Sequence, residues 1–154
     1  MNRYSSLMAA AIGISFVSAC STTASVGPSA TSPTVSIRSP LPAIHPLIGT
    51  WRIDLNNVNC YEIYQVRPDG TSTVTSGEEV SENEFDIALL PSSAGYYKWV
   101  DKIVKDNGKP DCMGSITPVG DVATNYILLH PSGKKFLMCQ EENTNSCIGP
   151  FIRQ

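Results

Sequence analysis

Residues 60–75 read CYEIYQVRPDGTSTVT, a stretch in which two strand-like runs flank a turn. Tyr, Ile, Val and Thr, which favour extended backbone, are frequent in residues 60–66 and 71–75. The turn between them is Arg-Pro-Asp-Gly, in which proline fixes φ, aspartate bonds back to the backbone and glycine adopts a positive φ. The stretch therefore predicts an antiparallel β-hairpin.

The pattern of this hairpin continues along the chain in both directions. Turn signals recur about every dozen residues, and Asn107-Gly108 is the dipeptide most typical of a two-residue hairpin turn. The strand-like runs between the turns are residues 48–54, 60–66, 71–75, 84–90, 96–105, 112–117, 125–130, 135–140 and 148–153. They predict an all-β domain, a single antiparallel meander barrel of about eight or nine short strands, because closure leaves no unpaired edge strand. A two-sheet sandwich is the alternative, and residues 96–106 also fit a short helix.

The first 20 residues carry the features of an export signal. Arg3 provides a positive charge, residues 7–17 (LMAAAIGISFV) are apolar but too short to span a bilayer, and small residues precede Cys20. This order resembles the lipobox signal peptide of bacterial lipoproteins. The resemblance implies that residues 1–19 are removed, that Cys20 carries lipid such as palmitate, and that the protein lies in the cell envelope. Because Ser21 rather than aspartate follows, it also implies the outer membrane. The alternative is ordinary secretory cleavage.

The segment after Cys20 differs in composition from the rest of the chain. Residues 21–44 are rich in Ser, Thr and Pro and contain no aromatic residue and no carboxylate. Such a segment has too little apolar surface to offset the entropy lost on ordering. We therefore expect residues 20–45 to form the lipidated cysteine and a disordered linker, and residues 46–154 to form the barrel domain.

Four further cysteines lie in the predicted domain: Cys60, Cys112, Cys139 and Cys147. An even number in a small exported domain predicts two disulfides, for which three pairings exist. Cys139 and Cys147 flank a short polar loop that a local bridge closes, which leaves Cys60 to pair with Cys112. The wide spacings and the scarcity of histidine do not fit a zinc site, so no metal and no cofactor is expected.

Gly49-Thr50-Trp51 stands on the first predicted strand, directly after the linker. This tripeptide resembles the G-x-W signature of lipocalins and their calycin relatives. The resemblance implies that Trp51 closes one end of a barrel and that Arg153, on the last strand, packs over it. It also implies a cup for a small apolar ligand or a surface for a protein partner, and no catalysis. The alternative is a core tryptophan beside a turn glycine.

The remaining motifs exclude more functions than they suggest. The net charge is −3 and no basic stripe is present, so nucleic acid is not an expected partner. The chain lacks the G-x-S-x-G, H-E-x-x-H and phosphate-loop patterns, and His130, with Asp121 as the nearest acid in sequence, is the only candidate general base in the domain. We therefore expect that the protein is not an enzyme.

Alternation along a strand places Glu82, Glu84 and Asp86 on one face. This row is either a solvated face or a patch for a cationic partner. The hypothesis that best fits these features is a lipid-anchored envelope protein whose barrel holds an apolar ligand or an envelope protein. The alternative is an inhibitor of a secreted hydrolase such as lysozyme, because bacterial inhibitors of that kind are also small, disulfide-bonded barrels.

Overall fold

The computed structural model describes residues 35–55 and 57–154. The predicted signal peptide and Cys20 lie outside the described residues. Eight strands follow in chain order: β1 (Gly49–Leu55), β2 (Cys60–Val66), β3 (Thr71–Ser76), β4 (Glu79–Ile87), β5 (Tyr96–Asp106), β6 (Val122–Leu129), β7 (Lys135–Cys139) and β8 (Cys147–Arg153). Each strand pairs antiparallel with the next, and β8 pairs with β1 to close the barrel. The predicted meander barrel is confirmed, and the sandwich and the short helix are excluded.

Alternation along β4 shows how the sequence directs its side chains. The side chains of Phe85 and Ile87 are buried and point into the lumen. Those of Glu79, Ser81 and Asn83 lie on the same face of the strand and are also buried. The residues between them face outward, as expected when successive side chains alternate across a strand. The lumen-facing side of one strand therefore changes from polar at its start to apolar at its end.

The connection between β5 and β6 differs from the prediction. Residues 112–117, expected as a strand, form part of a loop that we call the mouth loop (residues 107–121). The Asp111 carboxylate accepts hydrogen bonds from the backbone N–H groups of Met113 and Ser115, at 2.8 and 2.7 Å, and this closes a turn where a strand would need extended backbone.

Asn107-Gly108 opens the mouth loop instead of forming the predicted two-residue hairpin turn. The Asn107 side chain donates a hydrogen bond to the carbonyl of Glu78, and the Pro110 carbonyl accepts hydrogen bonds from the backbone of Glu78 and Glu79. These bonds draw the loop toward the β3–β4 turn. That turn contains Gly77, at φ +60°, and explains why β4 begins at Glu79 rather than at the predicted residue 84.

One end of the barrel is filled by aromatic side chains. We call it the closed end; it is the end at which β1 begins and β8 finishes. Five aromatic residues in or near this half are almost fully buried: Trp51, Phe85, Trp99, Phe136 and Phe151. The Phe136 and Phe151 rings are stacked with their centroids 4.6 Å apart, and Trp51 meets Phe136 edge to face at 4.7 Å. This half of the lumen is a packed core.

Residues upstream of β1 cover the closed end. Leu41, His45 and Leu47 are buried there, and backbone hydrogen bonds link Ser39 to Phe85 and Leu41 to Pro68. Burial lowers the pKa of His45, against the opposing effect of its hydrogen bond to the Ala88 carbonyl. The packed part of the chain therefore extends upstream of the domain boundary predicted at residue 46.

The contact between Trp51 and Arg153 joins the first and last strands. The guanidinium carbon of Arg153 lies 4.1 Å from the Trp51 ring centroid, and the guanidinium donates hydrogen bonds to the carbonyls of Pro46, Ile48 and Gly133. The Trp51 indole donates to the Leu47 carbonyl at 2.9 Å.

The glycine of the G-x-W tripeptide has a steric reason to be present. Gly49 has φ +133°, and a Cβ at this position would lie 2.6 Å from Nη1 of Arg153. Because Gly49 has no side chain, the space through which the Arg153 side chain reaches the Trp51 ring stays free.

The Trp51–Arg153 contact predicts energetic coupling between the two side chains. Trp51→Ala removes a fully buried ring and should lower the free energy of unfolding by ~3–5 kcal/mol. Arg153→Ala should cost less, and the double variant should deviate from additivity by ~0.5–2 kcal/mol. Urea unfolding of the four proteins measures the coupling. Arg52, which stacks on Tyr61 at 3.9 Å outside the barrel, is the control: Arg52→Ala should be additive with Trp51→Ala. Additivity for Arg153→Ala as well would contradict the coupling.

Candidate functional site

Both predicted disulfides are present, and both lie toward the end of the barrel opposite the aromatic core. We call this the open end. Cys60–Cys112 links the start of β2 to the mouth loop, and Cys139–Cys147 links the end of β7 to the start of β8. The predicted pairing is confirmed. The first bridge fixes the mouth loop beside the lumen, since the Cys112 N–H also donates to Ser76 Oγ at 3.0 Å.

The lumen opens into a cavity of about 220 Å³ at this end, which we call the open-end cavity. Its wall contains apolar groups from Val74, Trp99, Ile103 and Met138, together with hydroxyl and amide side chains. Its lining residues include four carboxylates, Glu62, Glu79, Asp101 and Asp111, and none of these described lining residues is Lys, Arg or His. The cavity is therefore strongly acidic.

The carboxylates of the cavity differ in how well they are hydrogen-bonded. Both oxygens of Glu62 accept a bond, from the Tyr64 hydroxyl at 2.9 Å and from Ser76 Oγ at 2.7 Å. Asp101 Oδ1 accepts one from the Trp99 indole at 3.3 Å. By contrast, Oε1 of Glu79 and Oδ1 of Asn83 are buried and have no hydrogen-bond partner among the described residues. Glu79 is 6% and Asn83 is 2% exposed.

Burial and mutual repulsion change the acidity of these groups. Burial raises the pKa of Asp101 to about 6, although the hydrogen bond from Trp99 opposes the shift. Burial, followed by the negative charges of Asp106 and Asp111, also raises the pKa of Glu79, although a hydrogen bond from the Thr117 side chain opposes the shift. The pKa of Tyr64 is raised well above its usual value, first by burial and then by Glu62, with further contributions from Asp101 and Glu79. The carboxylates of Glu62, Glu79 and Asp101 therefore all lie close enough to the Tyr64 hydroxyl to influence its pKa.

The raised pKa of Asp101 predicts that its charge destabilises the folded barrel above pH 6. The folded-state pKa, about 6, exceeds the ordinary value of 3.8, so the free energy of unfolding falls as pH rises from about 4 to 6. The shift corresponds to roughly 2–3 kcal/mol at pH 7, and Glu79 acts in the same direction. Asp101→Asn should therefore stabilise the protein at pH 7.5 and have little effect at pH 4.

Urea unfolding at the two pH values measures this difference. Glu82→Gln, on the outer face of β4, is the matched control and should change the stability equally at both values. A stabilisation by Asp101→Asn that is the same at pH 4 and pH 7.5 would show that the charge of Asp101 is not the cause.

A second concave surface lies on the outside of the barrel, near the β6–β7 turn. This outer groove has a volume of about 560 Å³. Its lining is mostly aliphatic or aromatic, with one histidine and one lysine: Leu128, Leu129, His130, Pro131, Lys135, Phe136, Leu137 and Pro150. Leu128 and Leu137 are directly paired across β6 and β7. The groove is apolar, in contrast to the open-end cavity.

The structure separates several residues that the sequence singled out. Glu82, Glu84 and Asp86 lie on the outward face of β4. Glu82 forms an ion pair with Lys105 at 2.9 Å, and Glu84 accepts hydrogen bonds from Ser36 and Ile37. Their role as a partner patch stays a prediction.

His130 and Asp121 are not brought together. Asp121 precedes β6 and His130 follows it, so the whole length of that strand lies between them. The His130 ring nitrogen Nδ1 is instead 2.9 Å from Ser132 Oγ. This pair therefore cannot act as a base and its orienting acid.

Sequence reasoning missed Glu62, Glu79 and Asn83 as lumen residues. The signal was present in the alternation, because Glu79 and Asn83 are in phase with Phe85 and Ile87, and Glu62 is in phase with Tyr64 and Val66. Asp101 is in phase with Trp99 and Ile103 on β5.

No protein-family model, curated protein or solved structure matches this chain. Within residues 35–55 and 57–154, no group of three or more His, Cys, Asp or Glu side chains is arranged to hold a metal ion. The same residues contain no helix that is long and apolar enough to cross a membrane. The closed barrel of eight antiparallel strands is compatible with a lipocalin-like barrel and with binding an apolar ligand.

Proposed function

We propose that this protein is a lipid-anchored, non-enzymatic binding protein of the bacterial cell envelope, and that the outer groove of its barrel holds a small apolar ligand. The outer groove is the observation that supports this proposal. Its volume, about 560 Å³, is in the range of pockets that take small ligands, and its wall is largely hydrocarbon. Burial of apolar ligand surface there contributes about 25 cal/mol per Å² before the cost of association.

The rim of the groove favours one kind of apolar ligand. Lys135 stands at the edge of the hydrocarbon surface formed by Leu128, Leu137 and Pro150. A fatty acid matches this arrangement, because its chain covers the leucines while its carboxylate lies close to the lysine ammonium. The proposed ligand is therefore a fatty acid.

Binding of decanoate, below its critical micelle concentration, tests the proposed groove. Isothermal titration calorimetry should detect saturable binding, and Leu137→Glu should weaken it about tenfold or more because the new carboxylate lies in the apolar wall. Val80→Glu is the matched control: Val80 is also an outward-facing aliphatic residue, 43% exposed, but it lies on β4. Equal affinity of wild type and Leu137→Glu would contradict the groove, and a shift in affinity on Lys135→Gln would support the carboxylate contact.

The anchor is proposed from the resemblance at residues 1–20 alone. A thiol at Cys20 is the nucleophile that lipid transfer needs, and two or three acyl chains hold a protein firmly at a membrane. In fractionated cells we expect the wild type in the outer-membrane fraction and Cys20→Ser outside the membrane fractions or unprocessed. Ser21→Asp should remain lipidated and move to the inner membrane. A Cys20→Ser protein that partitions as the wild type does would show that the lipobox interpretation is wrong.

The hydrolase-inhibitor alternative depends on the outward acidic row of β4. Two of its three carboxylates, Glu82 and Glu84, already bond to groups of the same domain. The Lys105 ammonium offsets the charge of Glu82, and the hydrogen bonds to Glu84 occupy part of its acceptor capacity, which favours ligand binding over enzyme inhibition.

A further inference from the structure

The open-end cavity is separate from the outer groove, and it has the opposite chemistry. Four carboxylates line it without a Lys, Arg or His among its described lining residues. Two of its acceptor atoms, Oε1 of Glu79 and Oδ1 of Asn83, are buried and unpartnered within the described chain. Buried polar atoms in native proteins nearly always have a partner, and leaving one without is costly. The cavity therefore has a requirement for hydrogen-bond donors and for positive charge.

Several classes of ligand fail this requirement. An anion would be repelled by the four carboxylates, and an apolar ligand would leave the acceptors of Glu79 and Asn83 unsatisfied. The described side chains also lack the arrangement that a metal ion needs. A quaternary ammonium has the charge but no N–H group. A primary ammonium has both, since it carries one positive charge and three donors.

The volume and the wall residues of the open-end cavity restrict the size and shape of an ammonium ligand. A volume of about 220 Å³ corresponds to roughly seven molecules of liquid water at about 30 Å³ each. Negative charge is present in two parts of the cavity. One is at Glu79, close to Asp106 and Asp111 on the side of the mouth loop. The other is at Asp101, beside the Trp99 indole. Apolar groups of Val74, Ile103 and Met138 contribute to the same wall and suit methylene groups.

We propose that the open-end cavity binds a short aliphatic diamine. One ammonium donates to Glu79 Oε1 at the mouth of the cavity, and the other lies deeper in the lumen, where it donates to Asn83 Oδ1 and to the carboxylate of Asp101. The methylene chain lies along the apolar part of the wall. The site is held in place before binding, because the Cys60–Cys112 disulfide and the hydrogen bond from the Cys112 N–H to Ser76 Oγ fix the mouth loop.

Isothermal titration calorimetry of the full chain with 1,5-diaminopentane at pH 7.5 tests this proposal. We expect saturable binding of the diamine, weaker binding of 1-aminopentane, which has one ammonium, and none of 1,5-pentanediol, which has the same length without charge. Equal binding of the diol and the diamine, or no binding of the diamine, would overturn the proposal.

Matched variants localise the binding to the cavity. Glu79→Gln and Asp101→Asn remove one charge each from the lumen with little change in shape, and each should weaken diamine binding about tenfold or more. Glu82→Gln removes a charge from the outward face of the same strand as Glu79 and should leave the affinity unchanged within about twofold. Equal losses in Glu79→Gln and Glu82→Gln would show that the diamine senses only the net charge and would overturn the site.

The decanoate titration distinguishes this proposal from the proposed function. Diamine binding uses the lumen and decanoate binding uses the outer groove, so the two lie on different surfaces. Loss of diamine binding in Glu79→Gln with unchanged decanoate binding also shows that the variant is folded. Decanoate binding without diamine binding would refute the diamine site alone.

Discussion

The closure of the barrel depends on the pairing of its first and last strands. β1 and β8 share only two register pairs, Trp51 with Arg153 and Arg52 with Ile152, fewer than any other neighbouring pair of strands. Side-chain contacts supplement this short ladder: Arg153 covers the Trp51 ring and also bonds three backbone carbonyls near the closed end. Because a barrel exists only when the last strand returns to the first, the other seven pairings depend on this seam for their final geometry.

The lumen is divided into two halves that contribute differently. The closed half contains stacked and edge-to-face aromatic rings and supplies much of the packing energy. In the open half, the carboxylates of Glu79 and Asp101 have raised pKa values, and oxygen atoms of Glu79 and Asn83 have no hydrogen-bond partner among the described residues. Both features lower the stability of the fold. Such an arrangement is typical of binding sites, where local stability is lower and the rest of the structure compensates for it. The apolar surface that the lipocalin resemblance implied lies instead outside the wall, in the outer groove.

Local sequence predicted the elements better than it predicted the site. The strand predicted at residues 60–66 coincides with β2. The first strand is displaced by one residue at both ends from its predicted range, and the last strand begins one residue earlier than predicted. The strand predicted at residues 112–117 was wrong. Ile116 and Thr117 favour extended backbone, but the Asp111 side chain closes a turn there.

Glu79 and Asn83 were missed for a different reason. Charged and amide side chains are rarely buried, so composition assigned them to the surface although their alternation with Phe85 placed them inside. Their convergence with Asp101 and Glu62 arises from register and closure, which join residues far apart in sequence. No local pattern contains that information.

The disulfide between Cys60 and Cys112 makes the geometry of the cavity mouth depend on the redox state of two cysteines. It holds a loop of 15 residues, 107–121, whose Asp111 and Thr117 complete the cavity rim. In a chain whose thiols are still reduced, that loop keeps its hydrogen bonds to the β3–β4 turn and to Ile103 of β5, but it loses the covalent link next to Asp111. Under reducing conditions, such as those of the glutathione-buffered cytosol, the barrel would therefore have a less constrained mouth than in an oxidising compartment.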